Sequence, residues 1–211
     1  MSKEVVHGRT AVIEFDSSKC IHSRHCVLDR PDVFVPNVQG EWIHPDAATA
    51  DEVVVLARNC PSGAIVARRL DGGPEESAPI VNTVRVLENG PLAIRAELSL
   101  RGKRAGLRAT LCRCGQSRRK PYCDGAHATA AFTATGEPPA KEAAPLAQRS
   151  GPLEVSPVPN GPLKLSGPME VVSGTGRTIN RAVELHFCRC GHSKTKPYCD
   201  GGHKALGFVA D

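Results

Sequence analysis

The sequence predicts an α+β chain made of three small parts: a compact β-α-α-β segment followed by two β-rich repeats. Three observations predict it. Two stretches rich in proline, alanine, glycine and charge, "DGGPEESAP" at 71–79 and "GEPPAKEAAPLAQRSGP" at 136–152, read as linkers. The nine cysteines fall three to each resulting segment, at Cys20, Cys26 and Cys60, at Cys112, Cys114 and Cys123, and at Cys188, Cys190 and Cys199. The stretch "CRCGQSRRKPYCDGAH" at 112–127 returns as "CRCGHSKTKPYCDGGH" at 188–203, an offset of 76 residues. Domains are accordingly expected over 1–70, 80–137 and 152–211.

In the first segment, "AVIEF" reads as a strand leading into Cys20, a helical turn follows Cys26, "DAATADEVVVLARN" has the composition of a helix, and "GAIVARR" returns as a strand. The cysteines then sit at loop ends. In the repeats, "IVNTVRVL", "LAIRAELSL", "LRATLC" and "AVELHFC" are short, β-branched and partly alternating, so each repeat is expected to form a small antiparallel sheet. Both repeats also share "NGPL", at 89–92 and 160–163. The offset between those copies is 71, so the third segment carries five extra residues before its motif.

Bulk properties narrow the function classes. Aromatic residues are 4% of the chain, too few for a large core. The net charge of +5 resolves into −1 for 1–70 and +3 for each of 71–140 and 141–211, so the basic surplus belongs to the repeats and reads first as a solvated face. The first sixteen residues contain no apolar run of the signal-peptide kind, and no later stretch approaches the roughly 18 apolar residues of a membrane span, which predicts a soluble, cytoplasmic protein. An odd cysteine count and close Cys-x-Cys pairs argue against a disulfide framework and for metal binding.

The repeated motif offers its ligands as two pairs. In an extended segment residues two apart share a side, so Cys112 and Cys114 can grip one metal atom together. Pro121 keeps the chain from being helical just before Cys123, Asp124 and Gly125 suit a helix start, and His127, four residues after Cys123, then faces the same way. Three thiolates and one neutral imidazole suit zinc or an iron-sulfur cluster, and spacing alone leaves both open.

Cys-x-Cys followed by Ser117, Pro121, Cys123-Asp124-Gly125 and His127 resembles the CDGSH iron-sulfur family across its whole signature, with Ala126 in place of that family's serine. The second copy resembles it through Cys188, Cys190, Ser193, Pro197, Cys199-Asp200-Gly201 and His203, with Gly202 in the serine's place. The resemblance implies one 2Fe-2S cluster on Cys112, Cys114, Cys123 and His127 and another on Cys188, Cys190, Cys199 and His203. It also implies that the two repeats pack about a pseudo-twofold axis within a monomer. Ser117 and Ser193 are read as donors to a ligand sulfur or as ordinary turn residues, and Asp124 and Asp200 as caps of a short helix. Arg113, Arg118, Arg119 and Lys120, with Arg189, Lys194 and Lys196, form two cation clusters that serve either to favour cluster reduction or plain solubility.

"CIHSRHC" and "NCPSGAI" resemble a divergent single-cluster ferredoxin, with Cys20, Ser23 and Cys26 in the clustered run and Cys60-Pro61 at the distant site. Ser23 stands where a fourth cysteine belongs. Three thiolates suit a 3Fe-4S core directly, whereas a 4Fe-4S core needs its last iron held by water, Ser23, His22 or His25. His44, before Pro45, reads as a turn residue and Trp42 as core.

The function expected is single-electron transfer to or from a partner reductase or oxygenase. Storage or delivery of clusters to apo-proteins is the alternative, and a zinc-bound structural module a weaker one. No nucleophile constellation or nucleotide-binding glycine motif marks an enzyme, and basic residues without interleaved aromatics disfavour nucleic acid.

Overall fold

The computed structural model describes residues 3–211 and divides into two compact units, Met1–Ser77 and Ala78–Asp211. The division falls within the 71–79 stretch.

The first unit is a three-stranded antiparallel sheet, β1 (Lys3–His7), β2 (Ala11–Asp16) and β3 (Ile65–Arg69), in the order β1-β2-β3. Between β2 and β3 lie α1 (His25–Asp29), a 3-10 turn at Pro45–Ala47 and α2 (Ala50–Asn59). The edge strand β1 adds a strand to the expected β-α-α-β order. Its residues alternate between exposed and half-buried, so no apolar run marks it in the sequence. The helix expected from residue 46 begins at Ala50 because Thr49 caps it: the Thr49 hydroxyl accepts from Glu52 N, and Glu52 accepts from Thr49 N at 2.8 Å. Val53, Leu56 and Ala57 of α2 pack on Ile13 and Ile65 of the sheet. Trp42 lies edge-on to Phe15 and Phe34, with ring centroids at 5.0 and 5.6 Å.

The second unit has six strands in one sheet. The first repeat supplies β4 (Thr83–Val86), β5 (Leu92–Leu100) and β6 (Lys103–Leu111), and the second β7 (Pro152–Pro157), β8 (Leu163–Val172) and β9 (Thr178–Phe187). Each repeat pairs its own strands antiparallel, as expected. The repeats also exchange strands. β5 pairs β4 along 92–95 and then β7 in parallel along 97–100, while β8 pairs β7 along 163–166 and then β4 in parallel along 170–172. The register breaks at the handover, between Arg95 and Leu98 and between Ser166 and Met169, where an irregularity bends each strand towards its second partner. The five extra residues of the second repeat go one to each of β8 and β9 and three to the loop between them.

One core serves both repeats: Val84, Ile94 and Leu98 from the first are buried with Leu153, Leu165 and Val171 from the second. Each such aliphatic side chain contributes about 1.5–3 kcal/mol of burial free energy, which neither repeat could collect alone. Residues 136–151, read from sequence as a linker, run instead as a tethered strap. Gly174 N donates to Gly136 O at 2.7 Å, Lys141 N to Ile179 O at 2.7 Å, and Asn82 N to Arg149 O at 2.7 Å. Arg149 meets the buried Glu170 at 2.8 Å. No helix among the described residues is long and apolar enough to cross a membrane.

Candidate functional site

Each motif is built where its repeat's last strand leaves the sheet. β6 delivers Cys112, Gly115 at φ +82° turns the chain, and 121–123 return antiparallel, with Cys112 N donating to Pro121 O at 2.8 Å and Cys123 N to Thr110 O at 2.9 Å. This closure returns the backbone of Cys123 to the strand that carries Cys112. Gly125, at φ +88°, then starts the single turn α3 (Ala126–Thr129). The second copy repeats every step, with Cys188 N to Pro197 O and Cys199 N to His186 O both at 2.9 Å and α4 at Gly202–Ala205.

The donors come together as the two expected pairs. Cys112 Sγ lies 3.8 Å from Cys114 Sγ, and Cys123 Sγ lies 3.4 Å from His127 Nδ1. In the second motif the distances are 3.6 Å for Cys188 and Cys190 and 3.4 Å for Cys199 and His203 Nδ1. Main-chain N–H groups of Gln116 and Gly125 donate to Cys114 and Cys123, each at 3.4 Å, as the Gly201 N–H does to Cys199. The Cys-x-Cys pairs are buried, while His127 and His203 are half-buried, so each site has one dry side and one facing outward.

Donor chemistry fits a metal. All nine cysteines are free. The Cys114 hydrogen bond, with N–H groups of Ser117, Gly115 and Cys114, outweighs burial and lowers the Cys112 pKa, while the bond to Cys112 and burial raise that of Cys114. Binding of a thiophilic cation displaces the thiol protons. Burial raises Cys123 to about 11, and burial also lowers His127, with Arg113 adding to this and Asp124 opposing it. The imidazole is therefore neutral, the form that coordinates, at neutral pH.

The turn residues behave differently from one of their two readings. The Ser117 hydroxyl donates to Tyr122 O at 2.6 Å and accepts from Arg119 N, and Ser193 does the same with Tyr198 O at 2.7 Å and Thr195 N, so both brace the loop, and among the described residues neither hydroxyl bonds a cysteine sulfur. Asp124 and Asp200 do cap the short helices, accepting from Ala126 N at 3.0 Å and Gly202 N at 2.9 Å, and they also tie in Arg118 N and Lys194 N.

The cations divide into two kinds. Arg118 and Lys194 are exposed, and Lys120 and Lys196 donate to Ser117 O and Ser193 O. Arg113 and Arg189, each between the two cysteines of a Cys-x-Cys pair, are 1% exposed. Arg113 donates to Gly90 O (2.8 Å), Leu87 O (2.5 Å), Ala134 O (3.1 Å) and Thr135 O (3.1 Å). Arg189 donates to the main-chain oxygens of Gly161 (2.8 Å), Val158 (2.6 Å), Ala210 (3.3 Å) and Asp211 (2.7 Å). The recurring "NGPL" turn is thus an acceptor for the motif's central arginine, a role that sequence reasoning missed although the recurrence of both was its signal. Phe132 and Phe208 cover the guanidinium groups at 5.4 and 5.7 Å.

In the first unit, Cys20, Cys26 and Cys60 line one cavity of about 680 Å³, together with Trp42. That is the volume of about twenty waters, far more than one ion needs. Cys20 follows a turn held by Asp16, which accepts from Ser18 N at 2.9 Å; Cys26 rides on α1; Cys60 ends α2. Burial raises the thiols of Cys20 and Cys26. Ser23, His22 and His25 all line the cavity. His22 Nδ1 is 4.0 Å from Cys20 Sγ, and His25 Nδ1 is 3.1 Å from the carbonyl oxygen of Asn59. His44 precedes the 3-10 turn, as its place before Pro45 suggests.

Comparison with protein families agrees with this geometry. The family described as an iron-binding zinc finger of CDGSH type matches residues 89–128 and 160–204, and the family described as a divergent 4Fe-4S mono-cluster matches residues 6–69. Comparison with curated proteins finds no match.

Proposed function

From a chain that joins a divergent 4Fe-4S mono-cluster domain to two CDGSH-type iron-binding segments, we propose a cytoplasmic, non-enzymatic carrier of single electrons with three iron-sulfur centres. Cys112, Cys114, Cys123 and His127 hold one 2Fe-2S cluster and Cys188, Cys190, Cys199 and His203 the other, in repeats packed about a pseudo-twofold axis. Cys20, Cys26 and Cys60 hold a 3Fe-4S cluster, or a 4Fe-4S cluster with its last iron on water, Ser23, His22 or His25. The reciprocal strand exchange supports the pseudo-twofold.

One observation carries the two-iron reading. In each motif the donors fall into two separate pairs, a Cys-x-Cys pair and a Cys/His pair, one for each iron of a two-iron core. A bound cluster supplies a one-electron couple. The chain's residues do the rest: the buried Cys-x-Cys pairs exclude water, the loop N–H groups offset thiolate charge, and the half-buried His127 and His203 give a partner reductase or oxygenase a close approach. That outward histidine side also suits a second reading, delivery of clusters to apo-proteins.

Iron and sulfide analysis with electron paramagnetic resonance on anaerobically prepared protein tests this. About seven or eight irons per chain are expected, seven with a 3Fe-4S centre and eight with a 4Fe-4S centre. About four irons would remove the first-unit assignment, and zinc without iron all three. Stopped-flow reduction set against transfer to an apo-acceptor separates carrier from donor.

A further inference from the structure

Arg113 and Arg189 head the fully buried large side chains of the molecule, yet every hydrogen bond they make among the described residues ends on a main-chain oxygen. For Arg113 the carbonyl oxygens satisfy the N–H donors but leave the charge uncompensated, and an uncompensated buried charge is expensive; Arg189 also has a main-chain carboxylate oxygen of Asp211 at 2.7 Å. Glu88, the carboxylate that acts on Arg113 from a distance, is exposed and accepts from Gly136 N instead. Each arginine stands in the sequence between the two cysteines of a Cys-x-Cys pair, and the cysteines whose charge favours it are Cys114 and Cys188 for Arg113 and Cys112 for Arg189.

We infer that the two clusters are the counter-ions of Arg113 and Arg189, and that each arginine raises the reduction potential of both clusters, its own and that of the other motif. The inference rests on the two-cluster reading above. A 2Fe-2S core on three thiolates is a net anion that gains a further negative charge on accepting one electron, so a nearby buried cation favours the reduced state.

The cross effect follows from the contact between motifs. Cys114 and Cys190 form an antiparallel bridge. A Cβ added to Gly115 would lie 2.4 Å from Cys190 O, and one on Gly191 2.5 Å from Cys114 O, so the two loops touch along their backbones. Electrostatics runs across the same contact: the Arg113 charge is favoured by Cys188 as well as Cys114, and that of Arg189 by Cys112. Asp211 also favours Arg189 and Arg101 opposes it, so Arg113 gives the cleaner test.

The experiment is a mediated redox titration of the full chain carrying His203→Cys, which gives the second cluster a different absorption spectrum and so separates the two signals. Adding Arg113→Gln is expected to raise the oxidised-to-reduced ratio at fixed applied potential by about tenfold or more at the first cluster and by about threefold at the second. Arg113→Lys keeps the charge and donors for the carbonyls and is expected to leave both ratios in place. Unchanged ratios in a cluster-loaded Gln variant overturn the inference, a change confined to the first cluster overturns its cross-motif half, and a tenfold displacement in a cluster-loaded Lys variant shows that charge is not the operative property. Should Arg113→Gln fail to fold, Arg189→Gln is titrated in its place with the roles of the two clusters exchanged, and unchanged ratios there overturn the inference in the same way. Iron and sulfide analysis of the unsubstituted chain is run alongside: absence of four irons in the second unit overturns the two-cluster reading itself and is seen before any potential is compared.

Discussion

Gly115→Ala places the first extra atom where the two motifs meet. Gly115 has φ +82°, and its new Cβ would stand 2.4 Å from Cys190 O and 2.9 Å from the carbonyl carbon. Gly125 is a matched control, with φ +88° and nothing within 4 Å of the added atom. Both variants incur the left-handed backbone cost, about 1–2 kcal/mol. Gly115→Ala adds an overpacking cost of about 1–3 kcal/mol, and the obstacle is backbone, which cannot rotate aside. At about 4 °C per kcal/mol for a unit of this size, Gly125→Ala should lower the melting temperature of the second unit by about 4–8 °C and Gly115→Ala by about 8–20 °C. Circular dichroism follows the fold while visible absorbance follows the clusters in the same sample. Since the obstacle is the backbone of Cys190, a proposed ligand in the other motif, Gly115→Ala should speed loss of both clusters, and Gly191→Ala, with its Cβ 2.5 Å from Cys114 O, should do likewise. Equal shifts for Gly115→Ala and Gly125→Ala, or loss of the first cluster alone, would refute the reasoning.

Cys60→Ala should abolish the first unit's cluster signal and leave the absorption of the twin 2Fe-2S clusters intact, because the chain forms two compact units; loss of all three centres together would count against this. Acid should release the 2Fe-2S clusters, since a proton competes with iron for His127, whose lowered pKa keeps it available at neutral pH and delays the competition as pH falls. The double variant His127→Cys and His203→Cys should lose that acid sensitivity, and identical release profiles would mean that the histidines are not ligands. For Glu170, burial raises the pKa, but hydrogen bonds from Arg149 and Thr178 and the charges of Arg149 and Arg181 bring it net below its ordinary value. Its stabilisation is present above the unfolded carboxylate pKa and is lost as pH falls through the lower folded one. Urea midpoints between neutral and acid pH should therefore fall less steeply in Glu170→Gln than in the parent, and Glu170→Ala should cost about 2 kcal/mol at neutral pH through its lost charged hydrogen bonds.

What the sequence by itself determined is the local part of this protein. Cys112, Cys114, Cys123 and His127 lie within sixteen residues, so extended pairing, a proline and a one-turn helix suffice to place them in pairs, and the same holds for the copy ending at His203. The strand content of the repeats and the division near residue 77 were legible for the same reason, since periodicity and linker composition are properties of neighbours in the chain. Only the tertiary structure decided what depends on residues far apart. β5 and β8 each change partners midway to reach the other repeat, the strap over 136–151 is tethered by carbonyls such as that of Ile179, and three of the Arg113 acceptors lie 22 to 26 positions away. An arginine beside a loop with three further cations, Arg118, Arg119 and Lys120, reads in sequence as one more solvated cation. It becomes a buried charge because the "NGPL" turn and the segment after α3 close over it, and that closure requires the shared core of both repeats.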